Sequence, residues 1–199
     1  MKVKSKTRQR FIWWLVMLFS LSPLLILVIA TVWQALGANP LEALTHWTGH
    51  MGLMFLLVSL AITPLQRHFS WRAILPYRRT FGLLAFFYAL LHVLLYFGLD
   101  HRFDWQLISS DLTKRSYIIA GFLAFIILLV LALTSSGQSM RFIGFKRWKL
   151  LHRSVYLAAV LAVIHYLWKE KADWLQPAAY GVVLLLLMLF RLGKKVRRR

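Results

Sequence analysis

The sequence predicts an all-α integral membrane bundle of six transmembrane helices, with both termini in the cytoplasm. Three observations carry this expectation. Of the 199 residues 60% are hydrophobic, and the mean hydropathy is +0.64, more apolar surface than a soluble domain of this size can hide. The apolar residues gather into six runs, each close to the roughly 20 residues that cross a bilayer core. The charged residues sort alternately between the loops that separate those runs.

The first run, 11–33, follows Lys2, Lys4, Lys6, Arg8 and Arg10. This start resembles the n-region of a secretory signal. The run is too long for a signal h-region and has no clear small-x-small cleavage site, so it is expected to persist as a helix. The other runs are 47–65, 80–99, 117–134, 149–168 and 175–192. The N-terminus, the 66–79 loop, the 135–153 loop and the C-terminal tail, with Arg191 at the end of the last run, hold twenty of the 25 Lys and Arg. The remaining three loops hold every acidic residue: Glu42, Asp100, Asp104, Asp111, Glu170 and Asp173. Positive charge stays on the cytoplasmic side during insertion, which sets the orientation. The chain therefore divides into a basic segment at 1–10, a membrane domain at 11–192 and a basic tail at 193–199. A bacterial inner membrane is the expected location.

Composition also excludes functions. A net charge of +19 would suggest nucleic acid in a soluble protein, but here the basic residues flank apolar runs and carry topology. Lipid is the expected partner and nucleic acid is not. The chain has no cysteine, which rules out disulfides, thiolate-held iron–sulfur clusters and covalently attached c-type haem. No G-x-G-x-x-G or Walker pattern is present, so any nucleotide-dependent step belongs to a partner. No loop is long enough for a soluble domain. There is no internal repeat and no pair of broken helices of the transporter kind.

The residues that could carry chemistry are histidines. His46, His68 and His101 fall in loops or at edges and read as solvated side chains. His50, His92, His152 and His165 fall inside predicted helices. At 1.5 Å per residue, His165 lies roughly 10 Å to the outer side of the midplane, and His92 lies on the same side a few Å above it. His152 lies roughly 10 Å toward the cytoplasm. A haem standing between two helices needs one imidazole from each side at similar depth. His92 and His165 meet that condition, and two neutral imidazoles favour electron transfer by leaving no open iron position. With no cysteine the haem would be b-type. The alternative is that these histidines only bridge helices by hydrogen bonds.

His152 and His165 do not share a face on an ideal helix. The residues thirteen and fourteen positions before His92 are Arg79 and Arg78. Guanidinium cannot serve as an ordinary axial ligand, yet it suits a haem propionate or a flavin phosphate. His50 reads as a spare ligand, a quinone contact or an interfacial histidine. Tyr96 and Tyr156 each follow a histidine by four residues and share its helix face. Asp100, Asp104 and Asp111 form either a docking surface for a partner or ordinary solvated loop charge.

The stretches Arg78-Arg79-Thr80-Phe81-Gly82-Leu83 leading to Leu91-His92, and Trp148-Lys149-Leu150-Leu151-His152-Arg153-Ser154-Val155-Tyr156 leading to Ile164-His165-Tyr166-Leu167-Trp168, resemble the ferric-reductase-like transmembrane family. The likeness covers nearly the whole chain. It implies His92 and His165 as outer haem ligands, His152 as an inner one, and one or two haems b with FMN. It also implies electrons drawn from the quinone pool or a cytoplasmic flavin reductase. They would pass to a periplasmic molybdopterin subunit that reduces methionine sulfoxide in oxidised proteins. The chain would then be an electron-transfer subunit without its own substrate-reducing site. The wider family carries a second histidine where this sequence has Arg78 and Arg79. A small transporter or channel, or a stand-alone ferric or quinone reductase, are the alternatives.

Overall fold

The computed structural model describes residues 2–193, and the side chains of residues 10–191. The basic segment at 1–10 is thus seen almost only as backbone, and the tail beyond residue 193 lies outside the described residues. The described chain is all helix. In order, the helices are α1 (Lys2–Val32), α2 (Pro40–Phe69), α3 (Tyr77–Leu94), α4 (Trp105–Lys114), α5 (Ser116–Leu133), α6 (Gly137–Ile143), α7 (Phe145–Leu151), α8 (Val155–Lys169) and α9 (Leu175–Gly193). A π-helical segment, Leu95–Asp100, prolongs α3, and the 3₁₀ turn His152–Ser154 joins α7 to α8.

Local chemistry explains the boundaries. Asn39 accepts the Glu42 amide at 3.3 Å and Pro40 occupies the first helical position, so α2 starts at a built cap. It ends at Ser70, which adopts a left-handed φ of 59°. Pro23 lies inside α1 and cannot donate to the Phe19 carbonyl one turn back. The Ser22 hydroxyl donates to that oxygen instead, at 2.8 Å, which satisfies it inside an apolar helix.

The central helix is α2. More than half of its apolar window is buried, against less than a quarter in each other span. It packs most extensively on α3, while α5 packs on α8. Small residues allow the close approach. A Cβ on Gly52 would meet Ala89 N at 3.3 Å and Ala85 O at 3.5 Å, and Ala85, Ala158 and Ala159 are fully buried. Helices in lipid gain little from the hydrophobic effect and associate through such backbone approach and through interhelical hydrogen bonds. Outward positions such as Phe19, Val32 and Leu133 are large, apolar and exposed, as a lipid-facing surface requires.

Among the described residues, five stretches are long and apolar enough to cross a membrane: Arg10–Val32, Pro40–Phe69, Tyr77–Asp100, Ser116–Leu133 and Phe145–Lys169. The expectation of six spans is met by five of these; the sixth is the 19-residue helix Leu175–Gly193, in which the described residues Leu175–Arg191 form an apolar stretch. A difference lies between α3 and α5. The stretch expected to be a loop contains α4, whose Asp104 accepts the amides of Gln106 at 2.9 Å and Leu107 at 3.2 Å.

A buried interhelical bond ties α1 to the bundle: the Tyr88 hydroxyl donates to Ser20 O at 2.8 Å. Tyr88→Phe is expected to lower stability by about 0.5–1.5 kcal/mol, read as a lower thermal midpoint of the detergent-purified protein.

Candidate cofactor site between two helix pairs

A cavity of about 600 Å³ opens between the α2/α3 and α5/α8 pairs, toward the end that carries the acidic loops. That volume falls within the roughly 300–1,000 Å³ of ligand pockets. Its walls are mostly apolar, including Leu53, Leu56, Phe125 and Leu128, and α4 covers its mouth with the buried Ile108.

His92 projects into this cavity from α3 and His165 from α8. His92 Nδ1 lies 2.8 Å from Thr45 O, and His165 Nδ1 lies 2.7 Å from Tyr117 O. A carbonyl can only accept, so each Nδ1 carries the proton and donates it. In the neutral rings both Nε2 atoms therefore hold the lone pair. Among the described residues neither Nε2 has a hydrogen-bond partner. The two ring centroids are 6.1 Å apart, with planes at 87°.

Glycines make this placement possible. Gly49 and Gly121 each lie four residues after the accepting carbonyl, so the ring lies over the turn where a side chain would stand. A Cβ at Gly49 would meet His92 Nδ1 at 3.1 Å, and one at Gly121 would meet His165 Nδ1 at 2.5 Å. Neither these glycines nor the residues supplying the carbonyls stand out in the sequence. An isolated glycine within an apolar helical run is the one signal that points there.

The pair suits the group that the histidines were expected to hold. Two imidazoles from facing helices with ring centroids 6.1 Å apart would both reach a group bound between them. The lone-pair nitrogens, the bonded Nδ1 atoms and the apolar walls are the donor set and surroundings that a b-type haem requires. Among the described residues no group of three or more His, Asp or Glu could hold a bare metal ion.

The other candidates lie elsewhere. His152 is at the opposite, basic end, where it stacks on Trp148 at 4.1 Å and its Nε2 lies 3.2 Å from the Thr134 hydroxyl. Among the described residues no second imidazole contacts it. Arg78 and Arg79 are at the same end, on the first turn of α3. Tyr156 is there too, beneath the Arg191 guanidinium. His50 lines the cavity but is engaged: its Nε2 is hydrogen-bonded to the Tyr166 hydroxyl, which donates to Gln176 Oε1 at 2.9 Å.

The loop residues expected to be solvated are organised. His101 lies 3.1 Å from Asp111 through Nε2 and 3.2 Å from Tyr96 O through Nδ1. Arg115 also pairs with Asp111, at 3.3 Å. The neighbouring Tyr117 phenol and the Asp111 carboxylate push Arg115 above the ordinary guanidinium range. The Asp111 side chain is only 17% exposed and Asp104 is a helix cap. All three aspartates of the expected docking surface are engaged within the chain, since Asp100 also lies 3.6 Å from His101. His46 is bonded to Lys169 at the cavity rim.

The pattern of the ferric reductase like transmembrane component matches residues 48–163, which include His92 and His152 and stop two residues short of His165. A protein of Rhodospirillum rubrum, named protein-methionine-sulfoxide reductase heme-binding subunit MsrQ, is 50% identical over 164 residues, covering 82% of this chain and 79% of its own. The Caulobacter vibrioides protein of that name is 42% identical over 190 residues, 96% of this chain and 90% of its own. This chain belongs to the MsrQ branch of the ferric reductase-like transmembrane family. A third member of the branch, from Herminiimonas arsenicoxydans, is 43% identical over 167 residues, covering 83% of this chain and 77% of its own.

The two glycines predict graded effects in this MsrQ relative. Glycine to alanine in a helix is worth about 1 kcal/mol in favour of alanine. At Gly121 that gain is outweighed, because His165 has to leave its carbonyl and a buried donor is left unpaired, a cost of about 1–3 kcal/mol. Gly121→Ala is expected to lower the thermal midpoint and Gly49→Ala to leave it near the wild-type value.

Proposed function

We propose that this chain is the haem-binding membrane subunit of a methionine sulfoxide reductase system, carrying electrons to a periplasmic molybdopterin subunit that repairs oxidised proteins. The observation that carries this is the facing pair His92 and His165, each locked by a backbone carbonyl with its lone pair toward a shared apolar cavity. The relatives' printed names supply the haem and the system.

His92 and His165 would hold the haem iron through Nε2. A b-type haem held by two imidazoles supplies reversible one-electron chemistry and no open position for oxygen. The residues do the rest. Thr45 O and Tyr117 O hold both rings in the Nε2-ligating tautomer and strengthen their donation to iron. The apolar walls exclude water, and α4 closes the mouth. The acidic end is the periplasmic side, since the basic loops stay in the cytoplasm, and α9 is the sixth crossing of the inner membrane. His152 has no imidazole opposite, so one haem is proposed. FMN, implied by the family resemblance, belongs at the basic end near Arg78 and Arg79. Quinol or a cytoplasmic flavin reductase is the donor.

The test is a reduced-minus-oxidised visible spectrum of the purified protein beside His92→Ala, His165→Ala and His152→Ala. A low-spin b-type signal is expected in the wild type, lost in the first two variants and kept in the third. A colourless wild type, with haem supplied during expression, would overturn the proposal. Loss in all three would make His152 a ligand as well.

A further inference from the structure

The cavity that receives His92 and His165 is apolar in its depth and charged at its mouth. Haem b is an apolar disc with two propionate carboxylates on one edge, and that edge has to find cations or water. Two directions are open to it. Toward the basic end the walls are Leu53, Leu56, Phe125 and Leu128. Arg78 and Arg79 stand fourteen and thirteen residues before His92, about 20 Å away along α3. Toward the acidic end the cavity opens. Among the described residues two Lys or Arg side chains line it, Lys169 and Arg115, and both stand at that mouth.

Lys169 is placed by α8. It follows His165 by four residues, so it shares that histidine's helix face and stands about 6 Å nearer the mouth. Its side chain is mostly buried, at 29% exposed. The ammonium donates to His46 Nε2 across the rim. Its paired carboxylate, Glu170, is 4.0 Å away, beyond hydrogen-bond reach. An ammonium carries three N–H groups, so this cation keeps donors for an incoming carboxylate.

Arg115 is placed by the start of α5, two residues before the Tyr117 carbonyl that fixes His165. Asp111 takes one of its terminal nitrogens, at 3.3 Å, of a group that has five N–H donors in a fork suited to carboxylates. The carboxylates that also line the mouth have partners of their own. Glu42 accepts from Asn39 at 3.0 Å and lies 3.8 Å from His46, and Asp100 lies 3.6 Å from His101.

We infer that Lys169 and Arg115 hold the two haem propionates at the mouth of the cavity. The inference rests on the haem reading of the cavity and adds the orientation of the disc, with its charged edge toward the acidic end. Ligation by His92 and His165 fixes the iron, and the two cations fix which way the porphyrin faces.

The test is a titration of the full-length, detergent-purified protein, prepared under haem limitation, with haemin and with haemin dimethyl ester. The ester keeps the iron and the ring but lacks the propionate charges. It also partitions differently into detergent, so the quantity compared is the ratio of the two dissociation constants in each protein. The preference for haemin is expected to fall about tenfold in Lys169→Met and in Arg115→Gln, the worth of a charge-assisted hydrogen bond. Lys169→Arg should restore it, and Lys171→Met, which removes an exposed cation at the same end, should leave it unchanged. The low-spin spectrum should survive in all four variants, because the imidazoles are untouched. Circular dichroism reads the fold, and should Lys169→Met fail to fold, Arg115→Gln and Lys169→Arg carry the comparison. A wild-type ratio in Lys169→Met or in Arg115→Gln would overturn the role of that residue, and an equal fall in Lys171→Met would overturn the site. A low-spin spectrum with the ratio unmoved in both variants sinks the anchor and leaves the haem reading standing. A wild type that gives no low-spin spectrum with either porphyrin sinks both.

Discussion

A polar side chain inside a membrane bundle has to find a partner within the protein, and here two imidazoles find theirs in the same way. The donor is Nδ1, and the acceptor is a carbonyl in the facing helix, Thr45 on α2 or Tyr117 on α5. Four residues further along each accepting helix stands a glycine, Gly49 or Gly121, leaving room for the ring to lie over that turn. The same device thus appears once in each helix pair. It settles the tautomer, directs both lone pairs into one cavity and sets the ring separation. The chemistry of the cavity depends on these two bonds.

The second organising constraint is charge. The two ends of the bundle differ in kind. At the acidic end the carboxylates find cations: Asp111 gathers His101 and Arg115 and accepts from Tyr96, while Glu42 and Lys169 flank His46. That end is neutralised from within and is ordered enough to roof the cavity with α4. The loops of the basic end carry no carboxylate side chain. Insertion requires this asymmetry, because basic loops resist crossing the bilayer.

The long helices were legible because lipid demands unbroken apolar runs, and a soluble core seldom calls for one of about 20 residues. The histidines stood out for the same reason, as polar exceptions in apolar surroundings. α4 was not legible. Its sequence, WQLISSDLTK, is short and mixed, and it becomes a helix because Asp104 caps it and Ile108 has a cavity to cover. His101 was misread as solvated for a similar reason. Its partners Tyr96 and Asp111 are five and ten residues away along the chain, brought to it by the π-helical end of α3 and the turn into α4.

By itself, the sequence determined that this is a membrane protein, where its helices run, which histidines lie at comparable depth, and that no cysteine could tether a cofactor. These follow from composition and from position along a helix of known rise, which are one-dimensional quantities. Only the tertiary structure decided that His92 and His165 face each other with Nε2 free, that His50 is spent on Tyr166, and that His152 lacks an opposite imidazole. The physical reason is rotation. Hydropathy constrains a helix along the membrane normal but leaves its azimuth undetermined, and azimuth is set by backbone contacts at positions such as Gly52, Gly49 and Gly121.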